Sequence, residues 1–555
     1  MVKTLDKVDV VTVGVGWTGG IVAAECAKAG LKVVGLERGK DRSTADFMMV
    51  HDELRYGIRY ELMQDISKET VTFRNHRKML ALPMRQMGSF LLGEGLGGSG
   101  THWNGMTYRF LPYDFEIKTM TEERYGKDKI SSDYLIQDWG ITYDELEPYF
   151  DKFEKTAGIS GEDNNPFGGK RSSAYPTPPM IKTPILQKFE KATQDLGYHP
   201  YMVPSANMSE AYTNPDGESL AACQYCAFCE RFGCEYGAKS SPEMTVVPTA
   251  VKTGNFEVRF HANVVEMIHK DGKATGVKYI DTESGEEFIQ PAEVVVLTSY
   301  MLNNAKLLMV SNIGEQYDPE TGRGTLGKNY AYQIGPGATG FFDEKMNVYM
   351  GAGSLGMNID DFNGDSFDHQ DLDFIHGSSI TILQSGSRPI LSNSVPPDVP
   401  LWGAEFKKAS IENYARVLGV FGQGASMPHK ENYLSLDPTY KDIYGLPLLQ
   451  ITYNFTDQDR KLHKFIGDKT VEIMKEMGAK TVVGSGDLED YDIVPYQSTH
   501  NTGGTIMGAN PEDSVVNNYL QHWDVENLFA VGAGNFAHNS GYNPTATVGA
   551  LAYRA

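Results

Sequence analysis

The chain has 555 residues, more than one ordinary core holds, so it reads as two domains or one large domain with insertions. Its composition, 41% hydrophobic and 22% charged, is that of a soluble globular protein, and no stretch nears the roughly 18 to 20 apolar residues that cross a bilayer. A net charge of −22 repels a phosphate backbone and argues against nucleic acid as a partner.

Residues 9–37 read DVVTVGVGWTGGIVAAECAKAGLKVVGLE: a valine-rich strand, a tight glycine turn, a helical pattern over 21–29 and a second strand over 31–36. This is a βαβ unit carrying the dinucleotide fingerprint. Gly14 permits the turn, Gly16 lets the backbone approach a pyrophosphate, and Gly19 lets helix and strand pack closely. The phosphates would meet the free N–H groups and positive dipole end of a helix beginning near Gly19. Glu37 stands where a carboxylate accepts ribose hydroxyls and repels a 2′-phosphate. NAD and FAD both satisfy this pattern. The first strand begins within ten residues of Met1, which leaves no room for a signal peptide, so the chain is not expected to direct its own export.

Residues 38–85 are polar and mixed, with a helix expected over 51–63. The glycine-dense run GEGLGGSGTHWNG follows at 93–105, and so much glycine implies backbone running tightly against something flat or charged. Residues 112–212 read as an insertion, with helical runs over 143–156 and 186–196 between loops rich in Pro, Gly, Asn and Ser. Of the 5 cysteines, Cys26 falls on the apolar face of the first helix, while Cys223, Cys226, Cys229 and Cys234 crowd one segment. Three cysteines at successive gaps of two, plus a fourth nearby, let one loop wrap a cuboidal iron–sulfur cluster. Structural zinc normally uses two knuckles about a dozen or more residues apart. A zinc staple and a pair of disulfides remain open beside the cluster.

Farther on, residues 256–279 alternate as strands around a turn at Asp271-Gly272, 293–297 form a β-branched strand, and a helix starts over 303–310. Strands at 33–36, 294–297 and 528–531 fit one discontinuous sheet. Residues 332–491 change to long loops and alternating segments, which predicts a mostly antiparallel sheet with a helix over 457–477. The chain ends on a strand, a glycine cluster and a helix over 546–553, with Asn543 at the N-cap and Pro544 at N1.

The segments GVGWTGG, GLGGSGTHWNG, EVVVLTSYMLNNAKLLMVSNIG and VGAGNF…GYNPTATVGALAY resemble, in that order and over almost the whole chain, the glucose–methanol–choline (GMC) flavoprotein oxidoreductases. Within that family, SKETVT, CQYCAFCERFGC, GSRPI and YGLPLL are similar to the large subunits of bacterial gluconate 2-dehydrogenases and related membrane-linked sugar dehydrogenases. The resemblance implies FAD rather than NAD, and hydride removal from a carbinol of a sugar or sugar acid. It implies an α/β plus α+β architecture: a Rossmann-like FAD-binding domain from discontinuous segments (1–110, 241–331 and 491–555), a helical insertion with the cysteine segment (111–240), and a substrate domain on a mostly antiparallel sheet (332–490).

Oxidising a carbinol requires a base for the hydroxyl proton, a hydride acceptor, and a donor holding the oxygen as charge develops. His500 lies in the polar segment STHNTGG, and an imidazole titrating near neutral pH suits the base. One histidine of 13 in a loop is more often a surface residue; the family pattern is what makes this one the catalytic histidine. Asn543 is the implied second member, its amide holding the substrate oxygen, while the helix from Pro544 turns its positive end to the flavin pyrimidine. The same resemblance assigns Gly97, Gly98, Thr101, His102, Asn104, Val264, Gly532, Asn535, Pro544 and Thr545 to the FAD site. The Gly-Thr-His-Trp sequence resembles a segment in which a histidine is bonded covalently to the flavin 8α-methyl carbon, so His102 is either that link or a hydrogen-bonding neighbour of the flavin edge.

Related sugar dehydrogenases carry a cysteine-ligated three-iron four-sulfur cluster in this insertion; the spacing differs here, so a four-iron four-sulfur cluster also stands. A one-electron relay gives reduced flavin an exit other than oxygen. That favours a dehydrogenase feeding a cytochrome or quinone over an oxygen-using sugar or glycoside oxidase acting at C2 or C3, or a flavin-binding subunit whose cysteines only staple a loop. The resemblance further implies a small subunit with a twin-arginine signal, a multihaem cytochrome c subunit, and a periplasmic, membrane-associated location. A cytoplasmic enzyme is the simpler reading of the sequence itself. A gluconate-like acid would call for a lysine or arginine near the flavin, and no residue in the sequence singles one out.

Overall fold

The computed structural model describes every residue except 1, 49–50, 52–61, 87, 89, 387–392 and 496–497. The helix expected over 51–63 and most of the GSRPI segment lie outside the described residues.

Two large sheets organise the chain. In the first, Val8–Val13 pairs in parallel with Val33–Leu36 on one side and Glu287–Leu297 on the other, and Phe256–Arg259 pairs beyond Val33–Leu36. Val10, Val11, Val33, Val34 and Leu36 are all buried. Such near-continuous apolar runs are what parallel strands covered on both faces require. Lys3–Thr4 and Leu528–Ala530 both pair in parallel with Glu287–Leu297. The expected discontinuous sheet is therefore present, with Val8–Val13 between two of its three members. Ala262–Lys270 and Lys273–Asp281 extend it antiparallel. Asp271 (φ 52°) and Gly272 (φ 75°) make the tight turn between them, both in the left-handed region that a two-residue hairpin demands.

The helix of the fingerprint is Trp17–Lys28, starting four residues before the alanine-rich pattern. Gly19 and Gly20 lie inside it, against their propensity. The reason is close packing: a Cβ on Gly19 would lie 2.0 Å from the Gly14 carbonyl oxygen, and one on Gly20 2.6 Å from Val246 Cγ2.

In the second sheet every pairing is antiparallel, in the order Thr481–Gly484, Gly337–Phe341, Val417–Ala425, Ser378–Ser385, Gly351–Ile359, Tyr201–Met202, with Gln333–Ile334 also against Val417–Ala425. Helix Asp457–Glu476 covers one face. Thr456 and Asp459 close its start as a capping box, and Leu462 and Ile466 pack where Gly424 and Gly422 leave room. A smaller sheet joins Val71–Arg74 in parallel to Pro447–Thr452. The insertion helices are Tyr143–Ala157 and Pro184–Asp195. The first of these is docked, with Phe153 seated on Gly549 of the C-terminal helix Thr545–Arg554. Among the described residues no helix is long and apolar enough to cross a membrane.

Candidate active site

A cavity of about 610 Å³ opens between the two sheets, lined by Val13 and the glycine turn from the first and by Gln333, Phe421 and Gln423 from the second. It brings His500 and Asn543 together with Gly14, Gly16, Glu37, Gly98, His102, Asn104, Val264, Gly532, Pro544 and Thr545. Gly19, Gly97, Thr101 and Asn535 do not line it; they shape the wall from behind. Gly97 (φ 86°) donates its N–H to Val15 O at 2.9 Å. The Thr101 hydroxyl lies 3.1 Å from both Leu96 O and Glu243 Oε2. Asn535 accepts from Gly532 N–H at 2.9 Å and donates to Thr505 O at 3.0 Å.

The lining fits a dinucleotide. A Cβ on Gly16 would meet only Gly97 O, at 3.6 Å, and one on Gly98 only Gly16 Cα, at 3.7 Å, so side chains there would fill the cavity instead of striking the protein. The helix at Trp17 opens on Gly16 with no acidic residue in its first turn and no side-chain cap, leaving its N–H groups and dipole for an anion. Glu37 accepts N–H bonds from Val15 (3.1 Å), Gly39 (3.0 Å) and Gly95 (3.1 Å). A carboxylate offers about four lone-pair sites, so capacity remains for a ribose hydroxyl. Burial raises the Glu37 pKa against the pull of those N–H bonds. His102 is buried, its Nε2 has no hydrogen-bond partner among the described residues, and burial with the charge of Lys239 pulls its pKa down to about 3. A neutral, unpartnered ring nitrogen facing this cavity fits either role expected of it at a flavin edge. Among the described residues, Arg38 and Lys306 are the only arginine and lysine in the lining, and both are bonded to Glu69, at 2.8 and 2.5 Å.

His500 is held at both ring nitrogens: Nδ1 lies 2.5 Å from Gln333 Oε1 and Nε2 lies 3.1 Å from Asn543 Nδ2. Its carbonyl accepts from Asn539, and the neighbouring Ser498 N–H bonds the Tyr332 hydroxyl at 2.7 Å. Burial pulls the His500 pKa down to about 4. Gln333 in turn donates to Ser540 O and Tyr542 O, each at 2.8 Å, and Gln423 donates to Asn543 Oδ1 at 2.9 Å. Sequence reasoning missed both glutamines. The expected N-cap is also corrected: the helix begins at Thr545 with Pro544 in the cap position and no side-chain cap, because the Asn543 amide is committed to Gln423 and His500.

The four clustered cysteines are all unbridged, so the disulfide alternative is not formed. Sulfurs around one tetrahedral zinc, at ~2.3 Å from it, stand about 3.8 Å apart. Among the described residues no three of these four Sγ atoms lie within 4.8 Å of one another, which is too wide for that staple. A cuboidal cluster seats each thiolate on a separate iron and holds them farther apart. The sulfurs receive N–H bonds from Tyr225 to Cys223 and from Ala238 to Cys234, both at 3.4 Å, and from the Asn207 amide to Cys229 at 3.6 Å. Burial pushes Cys223 up to about 12 and raises Cys226 and Cys229 as well. Tyr225, Ala227 and Arg231 all adopt positive φ (54°, 71° and 68°), a strained run for residues with side chains. The loop abuts the cavity wall. Arg231 N–H bonds His102 O at 2.7 Å, and the buried Lys239 ammonium bonds Trp103 O, Cys229 O and Phe232 O at 2.7, 2.7 and 2.8 Å.

Among the described residues one other group has metal-ligand spacing: Asp114, His376 and His538, outside the cavity. It is a closed hydrogen-bond network. His376 Nε2 bonds Asp114 Oδ1 at 2.7 Å, Gly377 N–H bonds His376 Nδ1 at 2.7 Å, and His538 is bonded to Asn539 O and Asp114 O.

Residues 135–334 and 428–552 match two family models, both described as GMC oxidoreductase. The gluconate 2-dehydrogenase flavoprotein of Pantoea cypripedii is 40% identical, over 99% of this chain and 93% of that protein. The fructose dehydrogenase large subunit of Gluconobacter japonicus is 24% identical, over 99% of this chain and 96% of that one. Pyridoxine 4-oxidase from Mesorbium loti shares the fold, with a TM-score of 0.60 at 16% identity over 99% of this chain and 98% of that one. The matched models cover more than half of the chain and the 40% relative nearly all of it, so the protein belongs to the GMC oxidoreductase family, as an FAD-dependent enzyme that oxidises CH–OH donors.

Proposed function

We propose that the protein is a dehydrogenase of a sugar or sugar-acid carbinol, and that its electrons leave through an iron–sulfur cluster held by Cys223, Cys226, Cys229 and Cys234 and not to oxygen. The observation that carries the carbinol chemistry is the 3.1 Å approach of His500 Nε2 and Asn543 Nδ2 in the same cavity as the dinucleotide fingerprint. A ring acceptor beside an amide donor matches a hydroxyl, which donates and accepts at one oxygen. The substrate hydroxyl replaces the His500–Asn543 contact. His500 Nε2 takes its proton, and the Asn543 N–H holds the oxygen as negative charge grows on it. FAD, when bound, supplies the acceptor for the carbinol hydride. The sugar class is supported by the names of the two relatives, a gluconate and a fructose dehydrogenase.

The cluster is supported by Lys239. Its Nζ makes three bonds to carbonyls at 2.7–2.8 Å, which uses all three hydrogens of an ammonium, yet the residue is 1% exposed and bonds no carboxylate. The Glu243 carboxylate acts on this ammonium through space without a direct bond to it among the described residues, and a buried charge compensated only at that remove is costly. Thiolates on iron would add negative charge directly beside Lys239, and iron would lower the raised thiol pKa values on binding. A cluster, when present, gives the electrons a one-electron exit beside the cavity. The partnerless His102 Nε2 favours the covalent flavin link. The description of one relative as a large subunit supports a complex with a further subunit, and the family resemblance of the sequence is what suggests a cytochrome c partner and a periplasmic, membrane-associated site.

The test is anaerobic bleaching of the flavin against gluconate, glucose, sorbitol and glucosides, with iron and acid-labile sulfide measured on the same protein. Expected are bleaching by at least one sugar or sugar acid, stoichiometric iron and sulfide, and yellow colour that stays with the denatured polypeptide. Peroxide formed at the turnover rate would favour the oxidase, and a flavin that no carbinol bleaches would end the carbinol reading.

A further inference from the structure

Gln333 and Gln423 sit on neighbouring strands of the second sheet, 2% and 8% exposed, and both reach the cavity, so the direction of each amide is read from its protein partners. For Gln333 that direction is unambiguous. Its nitrogen lies 2.8 Å from Ser540 O and 2.8 Å from Tyr542 O, two carbonyls that can only accept. The flipped amide would set oxygen against both. Oε1 therefore faces His500 Nδ1 at 2.5 Å, and only an N–H on Nδ1 makes that contact attractive. The Ser498 hydroxyl, 3.3 Å away, donates to the same oxygen.

The other side of the ring agrees. Gln423 donates to Asn543 Oδ1, which turns the Asn543 NH2 toward His500 Nε2. A second N–H on Nε2 would place donor against donor. Both contacts are satisfied by one form of the ring, with the proton on Nδ1 and the lone pair on Nε2 open to the cavity. We infer that Gln333 is a positioning residue that selects the base-competent tautomer of His500, while Gln423 fixes the amide of Asn543 as a donor toward the same oxygen site. The inference rests on His500 acting as the base of the proposed reaction. Burial keeps the ring neutral, which leaves tautomer choice as the variable that decides whether Nε2 can accept.

The experiment compares Gln333→Leu with Gln333→Glu. Both variants take the donor away from Ser540 O and Tyr542 O, so that structural cost is common to them, and only the group facing Nδ1 differs. Nitrogen NMR of histidine-labelled protein, with His500 assigned by its loss in His500→Ala, reads which nitrogen carries the proton. The wild type is expected to show it on Nδ1. Gln333→Leu is expected to move it to Nε2 or let it exchange, with kcat lower by on the order of 10²-fold and KM little changed. Gln333→Glu is expected to keep it on Nδ1, recover part of the activity, and shift the acid limb of kcat/KM to higher pH, because a carboxylate favours the imidazolium. A wild-type proton on Nε2 would overturn the inference. So would two variants that lose thermal stability and activity alike with tautomer and pH limb unmoved. If no carbinol proves to be a substrate, the NMR comparison still decides the tautomer, so the two readings fail separately.

Discussion

The cavity between the sheets and the loop at residues 223–234 share a wall, at His102 and Trp103, and differ in how complete each is by itself. The cavity is open in the folded chain: glycines clear its floor, a helix start and a carboxylate point their polar groups into it, and the His500–Asn543 pair is already bonded. The loop is unfinished. Burial raises the pKa of its Cys223, Cys226 and Cys229 thiols, three of its residues are in left-handed conformations costing about 1–3 kcal/mol each, and the buried Lys239 ammonium beside it bonds only carbonyls among the described residues. The contrast teaches that the organic cofactor enters a preorganised site, while the proposed cluster, if held by the loop, would supply part of that loop's folding free energy.

That contrast can be broken most sharply at His500. His500→Ala should lower kcat by roughly 10²–10⁴-fold, the usual span of a general base, while flavin content measured by absorbance stays at the wild-type level. Loss of flavin would mean the cavity is less preorganised than its geometry indicates. The next largest effect belongs to the loop. Cys229→Ser should remove iron and lower the thermal midpoint, yet leave single-turnover reduction of the flavin by substrate within a few-fold, since proton removal at His500 does not involve the loop; collapse of both would show the two regions to be one unit. The smallest effect is in pH. With the His500 pKa at about 4, the ring can accept a proton throughout the neutral range, so kcat/KM should be flat through pH 6.5 and fall only as pH drops through about 4. The sign for stability follows from the same depression. The unfolded chain protonates its histidine below about 6.5 and the folded one does not until about 4, so His500 carries no penalty above 6.5 and a growing one between those values. A kcat/KM limb near 6.5 in the reductive half-reaction would show a solvated ring.

What the sequence made legible follows the range of the interactions involved. Gly14, Gly16 and Glu37 act within one βαβ unit, so their spacing announces them. Gly19 lies inside a helix that starts at Trp17, and its close approach to the Gly14 carbonyl outweighs glycine's poor helix propensity. His500 and Asn543 were found through their segments, yet Asn543 read as a cap because its competing partners, Gln423 and His500, lie 120 and 43 residues away. Gln333 was invisible for the same reason: it takes its meaning from Ser540 and Tyr542, more than 200 residues on. Lys239 looks like any lysine after a glycine and an alanine, and only its three carbonyl partners single it out.

Strand Glu287–Leu297 receives Lys3–Thr4 from the start of the chain and Leu528–Ala530 from its end. The edge of that strand is therefore closed only by residues made more than two hundred positions later, and Asn543 comes later still. A chain without Leu528–Ala530 would expose that edge as a template for other strands, which makes this short segment the guard of the whole sheet.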